Sequence, residues 1–244
     1  MIQLELHAHT FASPDCLLKP ADIVRACTER GIDRLAVTDH NTIRGALAVR
    51  EIAPELVIVG EEIMTTQGEL LAYFVKEEVP PYLTPAETVA RLRAQGAVIS
   101  VSHPFDRTRE GAWEEANLLA LLPLVDAIEV FNARCLFPED NARALAFARR
   151  YNLPGSVGSD AHSLRELGRA RLLVEHADTP ADLLQGFRCG ARVTRLSSPA
   201  IHLTSGFAKL WKKMRRHLIR QTLPLNPTGD QHVRRIPYGP FARH

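Results

Sequence analysis

Polar clusters rich in histidine and carboxylate recur at the ends of strand-like apolar runs. They are His7-Ala8-His9, Asp39-His40, Glu61-Glu62, His103-Pro104 and Asp160-Ala161-His162. Spread from position 7 to position 162, they act together only if the fold gathers them. A parallel α/β barrel does this, because its strand-to-helix loops share one rim.

The intervening sequence alternates accordingly. Strands are expected over residues 2–6, 34–38, 56–59, 69–75, 97–101, 127–131 and 156–158, and helices over 19–30, 42–52, 85–95, 114–122 and 141–151. Thr84-Pro85-Ala86-Glu87 reads as a helix start, with Thr84 as cap, Pro85 in the first turn and Glu87 closing a capping box. Gly31 and Gly96 read as stops. Strands alternating with helices of about ten residues imply a mostly parallel sheet. The expected fold class is α/β, as a distorted barrel. An open doubly wound sheet competes poorly: it brings six strand ends to one point with difficulty, and the chain has no GxGxxG.

At 244 residues, 45% hydrophobic and 24% charged, the chain suits one barrel of ordinary globular composition. No apolar run approaches the ~20 residues of a membrane span, and residues 1–6 lack the basic region of a signal peptide. Cys16, Cys27, Cys135 and Cys189 form no CxxC pair, which argues against a thiolate zinc site and suits a cytoplasmic location. Residues 209–244 carry nine Lys and Arg against Asp230 alone, +8 of a net +2, leaving −6 on the remainder. The expected organisation is a barrel domain over 1–200, a basic amphipathic helix over 201–221 and a loosely ordered tail over 222–244.

His7 and His9 are two apart on an extended segment, so their imidazoles point the same way and can share a metal. Asp160 and His162 repeat that spacing. Asp39 and His40 are adjacent and point apart, which suits one ligand and one carboxylate that orients an imidazole. Glu61 and Glu62 cannot both face the centre. His176, His202, His217, His232 and His244 have no such placement.

The stretches HAHTFASPD, AVTDHNT, VGEEI, SHPFD, IEVFNAR and GSDAH, in this order over about two thirds of the chain, resemble the PHP (polymerase and histidinol phosphatase) family. The resemblance implies a distorted (β/α)7 TIM-like barrel with a short C-terminal extension. It also implies two or three divalent metal ions and a metal-dependent phosphoesterase activity. Its implied ligands are His7, His9, Asp15, His40, Glu62, His103, Asp160 and His162. Some members place a histidine in the strand after the glutamate; here that strand begins Gly68-Glu69-Leu70-Leu71, and the alternatives are that Glu69 substitutes or that this ligand is absent.

Mixed nitrogen and oxygen ligands suit Mn, Zn or Fe, with Mg also compatible. Asp160 and His103 are candidates for proton transfer to the leaving alcohol. Arg107 and Arg134 follow two strand ends and are candidates for phosphate contact, with Asn132 in support. The expected substrate is a phosphorylated small molecule or a nucleotide. The basic tail has three readings: a solvated helix packed on the barrel, an RNA or single-stranded DNA contact, or a membrane-surface helix. Two rival functions stand beside the phosphoesterase. One is an amidohydrolase-like enzyme, for which no lysine between Lys76 and Lys209 offers a carbamylated ligand. The other is a non-catalytic nucleic-acid-binding protein.

Overall fold

The computed structural model describes residues 1–222, so the tail expected over 222–244 lies, from 223 on, outside the described residues. The chain begins β1 (Ile2–Ala8), α1 (Pro20–Arg30), β2 (Arg34–Val37), α2 (Arg44–Ile52), β3 (Val57–Met64), β4 (Glu69–Tyr73), α3 (Pro85–Ala94) and β5 (Val98–Val101). It continues α4 (Glu115–Leu121), β6 (Ala127–Asn132), α5 (Pro138–Arg150), β7 (Gly155–Gly158), β8 (Ala170–Val174), α6 (Pro180–Cys189), β9 (Ala191–Thr194) and α7 (Ile201–Thr222).

Local chemistry sets several of these boundaries. Thr84 caps α3 and Glu87 returns the hydrogen bond, the capping box expected from sequence; Thr179 and Asp182 build a second one on α6. Gly31 ends α1 at φ 63°, a left-handed position that glycine takes without a Cβ clash.

One sheet holds all nine strands in the order β7-β6-β5-β4-β3-β2-β1-β8-β9. β1, β2 and β3 are mutually parallel, as are β5, β6 and β7. The sheet closes onto β1 just past β7: His9 donates its backbone N–H to the Ala161 carbonyl at 2.9 Å, and Ala161 to that of His7 at 3.2 Å. Seven strands thus form a nearly closed, barrel-like sheet. β8 and β9 extend it outside the closure, through an antiparallel pairing with the start of β1.

The distortion of the barrel is one reversed strand. β4 runs antiparallel to both β3 and β5, because a tight hairpin, not a helix, joins it to β3. Thr65 closes that hairpin, its N–H and hydroxyl both reaching the Gly68 carbonyl, at 2.9 and 2.6 Å. The reversal puts the first residue of β4, Glu69, at the rim where the other strands end.

Successive residues of β1 face opposite sides of the sheet. Leu4 and Leu6 belong to the apolar core with Ile23 and Cys27 of α1. Glu5 is buried on the other side, accepting from the backbone N–H of His7 at 3.1 Å and of Ser159 at 3.0 Å. A buried carboxylate is tolerated there because hydrogen bonds compensate its lost hydration, and they tie the end of β7 beneath the rim of β1.

Candidate metal centre

The rim collects side chains from six strand ends. His7 lies in β1 and His9 just follows it, His40 follows β2, Glu62 lies in β3, Glu69 opens β4, His103 follows β5, and Asp160 and His162 follow β7. Asp15 arrives from the loop before α1. His7 and His9 are fully buried, and Asp15, Glu62, Glu69, His103, Asp160 and His162 nearly so.

The distances are short throughout. His7 Nε2 lies 3.4 Å from Glu62 Oε1, and His9 Nε2 lies 3.2 Å from Asp160 Oδ1. His40 Nδ1 is 2.9 Å from Glu62 Oε2, His103 Nε2 is 3.1 Å from Glu62 Oε1, and His162 Nε2 is 3.2 Å from Asp15 Oδ1. Three trios each hold ligand atoms within 4.8 Å of one another: His9, His40 and His162; His7, His9 and Glu62; and His40, Glu62 and Glu69. The trios overlap at His9, His40 and Glu62, the arrangement that neighbouring ions sharing ligands require.

A chain of hydrogen bonds orients the imidazoles. Glu129, buried in β6, accepts His7 Nδ1–H on Oε1 at 3.0 Å; its Oε2 accepts the His103 backbone N–H at 2.8 Å and Asn132 Nδ2–H at 3.1 Å. Asp39 accepts the hydroxyls of Thr10 and Ser13 at 2.6 Å each. Ser13 has then given up its one proton, so its oxygen accepts from His9 Nδ1–H at 3.0 Å and from the His40 backbone N–H at 3.1 Å. His162 Nδ1–H donates to the Asp160 carbonyl at 2.9 Å. In His7, His9 and His162 the Nδ1 proton is thereby fixed and the Nε2 lone pair is directed into the cluster.

The electrostatics follow from crowding carboxylates among imidazoles. Burial disfavours the charged form of every group here. Against that cost, His7 and His40 hold the Glu62 carboxyl well below its usual range, and Arg109 with His7 does the same for Asp160. Burial depresses His9, and the neighbouring His162 and His40 push it further down. Burial and the Glu62 charge raise Glu69.

The donor set suits divalent cations. His7 Nε2, His9 Nε2, Asp15 Oδ1, Glu62 Oε2, Asp160 Oδ1 and His162 Nε2 are buried and make no hydrogen bond among the described residues, although they face one another. Buried acceptors in such number call for a shared cation. Cys16, beside the cluster, keeps its thiol: burial pushes it up to about 12, and its Sγ–H is directed at the carbonyls of His9 and His162.

All eight residues expected as ligands from sequence are brought together in this cluster, with Glu69 beside them. Glu61 turns away and accepts the Val79 N–H at 3.1 Å. Asn132 reaches Asp160 Oδ2 at 3.3 Å. The two arginines singled out from sequence stay outside. Arg107 is bound to Asp140 at 2.6 Å with its side chain 60% exposed, and Arg134 is buried against Glu166 at 3.0 Å and Ser205 at 2.8 Å. The guanidinium that enters the centre is Arg109, bonded to Asp160 Oδ2 and lying 3.4 Å from Asp106. It stands in a loop without periodicity, where no spacing rule separates it from Arg107. Glu129 carried a usable signal, since a carboxylate between Ile128 and Val130 in a strand demands buried partners.

Two family models match the chain: the PHP domain over residues 5–104 and the PHP-associated region over residues 138–191. The uncharacterized protein MJ0417 of Methanocaldococcus jannaschii is 36% identical over 173 residues, 69% of this chain and 69% of that protein. Among solved structures, a Bifidobacterium adolescentis chain with the provisional description of metal-dependent phosphoesterase superposes with a TM-score of 0.54 at 19% identity, over 66% of this chain and 87% of that one. The lesion-specific endonuclease PfuEndoQ of Pyrococcus furiosus gives 0.52 at 15% identity, over 78% and 57%. Those two likenesses speak for the shared fold alone; the matched models and the archaeal relative carry the assignment, and the chain belongs to the PHP domain family.

Proposed function

We propose that this chain is a metal-dependent phosphoesterase hydrolysing a phosphomonoester or the phosphate of a nucleotide or oligonucleotide. Family membership supports a metal-dependent hydrolase. The observation that carries the finer reading is the pairing of a buried histidine–carboxylate cluster with one inward guanidinium, Arg109. Guanidinium geometry matches phosphoryl oxygens.

His7, His9, Asp15, His40, Glu62, His103, Asp160 and His162 would hold two or three ions, with Glu69 as a further ligand. Bound divalent cations there supply an acidified water as nucleophile and offset phosphoryl charge. Mn, Zn or Fe suits the mixed donor set, and Mg is compatible. Arg109 holds a phosphoryl oxygen opposite Asp160. As the water oxygen bonds to phosphorus, Asp160 or His103 takes the water's proton; the ester P–O bond breaks, and the same group passes that proton to the leaving alkoxide. Arg109, beside the cluster on Asp160, takes the phosphate contact that the sequence suggested for Arg107 and Arg134, which lie outside it against Asp140 and against Glu166 and Ser205. Asn132 steadies Asp160.

The test is phosphate release from p-nitrophenyl phosphate, histidinol phosphate, nucleoside mono- and bisphosphates and a short RNA, each with Mn²⁺, Zn²⁺ and Mg²⁺. Metal-dependent release that His9→Ala abolishes in a folded protein is expected. Release that survives in folded His9→Ala overturns the reading.

A further inference from the structure

α7 lies against the metal centre and presents a surface that hydrolysis of a small phosphate ester does not use. Its 22 residues include Lys209, Lys212, Lys213, Arg215, Arg216 and Arg220 and no acid. Its inner side is anchored at the rim. Ser205 accepts from Arg134 at 2.8 Å, Ala208 is buried, and Lys212 Nζ donates to the carbonyls of Phe11, at 2.6 Å, and Ser13. Lys209 Nζ stands 3.7 Å from Asp15 Oδ2, beside the centre. Leu203, Phe207, Leu210, Trp211 and Met214 remain exposed on the helix, Phe207 at 61% and Trp211 at 47%. The rings of Phe207 and Trp211 lie 6.3 Å apart and within 18° of parallel. A cavity of about 300 Å³ is lined by Leu17, Leu203, Thr204, Phe207, Ala208 and His162 of the cluster.

We infer that α7 and the facing rim form a docking surface for single-stranded nucleic acid. The bases stack on Phe207 and Trp211, the cations follow the backbone, and the terminal phosphate is delivered toward Arg109 and the cluster. This last step rests on the phosphoesterase reading; the docking surface does not. Near-parallel exposed rings beside a run of cations are how single strands are held without sequence preference. A second copy of the chain fits poorly, because pairing two such helices sets Lys209, Lys213 and Arg215 against the same cations with no acid in either helix. A lipid surface would meet the basic apolar helix, but it leaves unexplained a cavity lined by both Phe207 and His162 of the cluster.

The experiment measures binding of a fluorescein-labelled oligothymidylate, phosphorothioate-linked to resist cleavage, to the full metal-loaded chain. Tight binding that quenches Trp211 emission is expected. Phe207→Ala and Trp211→Ala should each weaken binding by about tenfold or more. Lys213→Glu/Arg215→Glu should reduce the log–log salt slope by about 1.4, at ~0.7 per phosphate contact. In the ring variants the kcat/KM for a short oligonucleotide relative to that for p-nitrophenyl phosphate should fall tenfold, with thermal unfolding unchanged. Binding without release of phosphate or nucleotide supports the surface and overturns the phosphoesterase reading. Turnover of p-nitrophenyl phosphate with no oligonucleotide binding overturns the surface. Binding to phosphatidylserine vesicles in place of the oligonucleotide, or self-association lost in Trp211→Ala, also overturns it.

Discussion

Glu129 never needs to touch an ion to control one. Its Oε1 accepts His7 Nδ1–H, while Oε2 accepts both the His103 N–H and Asn132 Nδ2–H. Glu129→Gln keeps the shape and changes one atom. The amide oxygen must stay where two donors converge, since the opposite orientation would face an NH₂ against two N–H groups at about 1–3 kcal/mol. The amide NH₂ then confronts His7 Nδ1, which must become an acceptor. The His7 proton moves to Nε2, the atom aimed at Glu62 and Asp160, and that lone pair is lost to a ligand. Changing a carboxylate that orients a metal-bound histidine costs 10–100-fold in metal affinity, as a rough range. At about 1.36 kcal/mol per decade this is about 1.4–2.7 kcal/mol. Titration against a chelating dye measures the affinity, and ¹⁵N NMR of the Zn²⁺-loaded protein reads which His7 nitrogen keeps the proton. Wild-type affinity, with the proton still on Nδ1, would refute the reasoning.

Two further expectations follow from the same geometry. Arg109→Ala should lower kcat/KM for a small phosphomonoester by about 10²–10³, the scale for losing one donor to developing charge, with Arg109→Lys recovering part; unchanged kinetics would remove Arg109 from the site. Burial, aided by the Glu78 charge, pushes the Glu61 carboxyl up from 4.5 to about 8. The folded chain therefore keeps a proton that the unfolded chain loses, and stability falls as pH rises between those values. Glu61→Gln removes that titration, so its stability relative to wild type should rise from pH 5 to pH 8 by on the order of a few kcal/mol. Urea unfolding at both values checks this, and parallel curves for the two proteins would contradict it.

Much of the cluster was readable because its histidines and carboxylates sit at strand ends, where a parallel barrel has one place to put them. The i, i+2 pairs His7/His9 and Asp160/His162 needed only strand geometry. The reversal of β4 was less visible, although Thr65-Thr66-Gln67-Gly68 between two strand-like runs is of hairpin length. Had the hairpin been recognised, Glu69 would have followed as a rim residue. Arg109 was hidden for a different reason: the segment between β5 and α4 has no period, and distant acids, Asp160 for Arg109 and Asp140 for Arg107, set which arginine turns inward. The segment carrying β8, α6 and β9 was not anticipated. Its strands complete an edge outside the closure, and nothing in their own pattern names that edge.

The account's central claim is that the rim cluster binds divalent cations and that phosphoester hydrolysis depends on them. Metal-stripped protein titrated with Mn²⁺ or Zn²⁺, with bound metal and phosphate release followed together, tests this most directly. Release should rise with occupancy and saturate at two or three ions per chain, and both signals should vanish in a folded His7→Ala/His9→Ala protein. Phosphate release from metal-free wild type, or full metal binding by the double variant, would contradict the account.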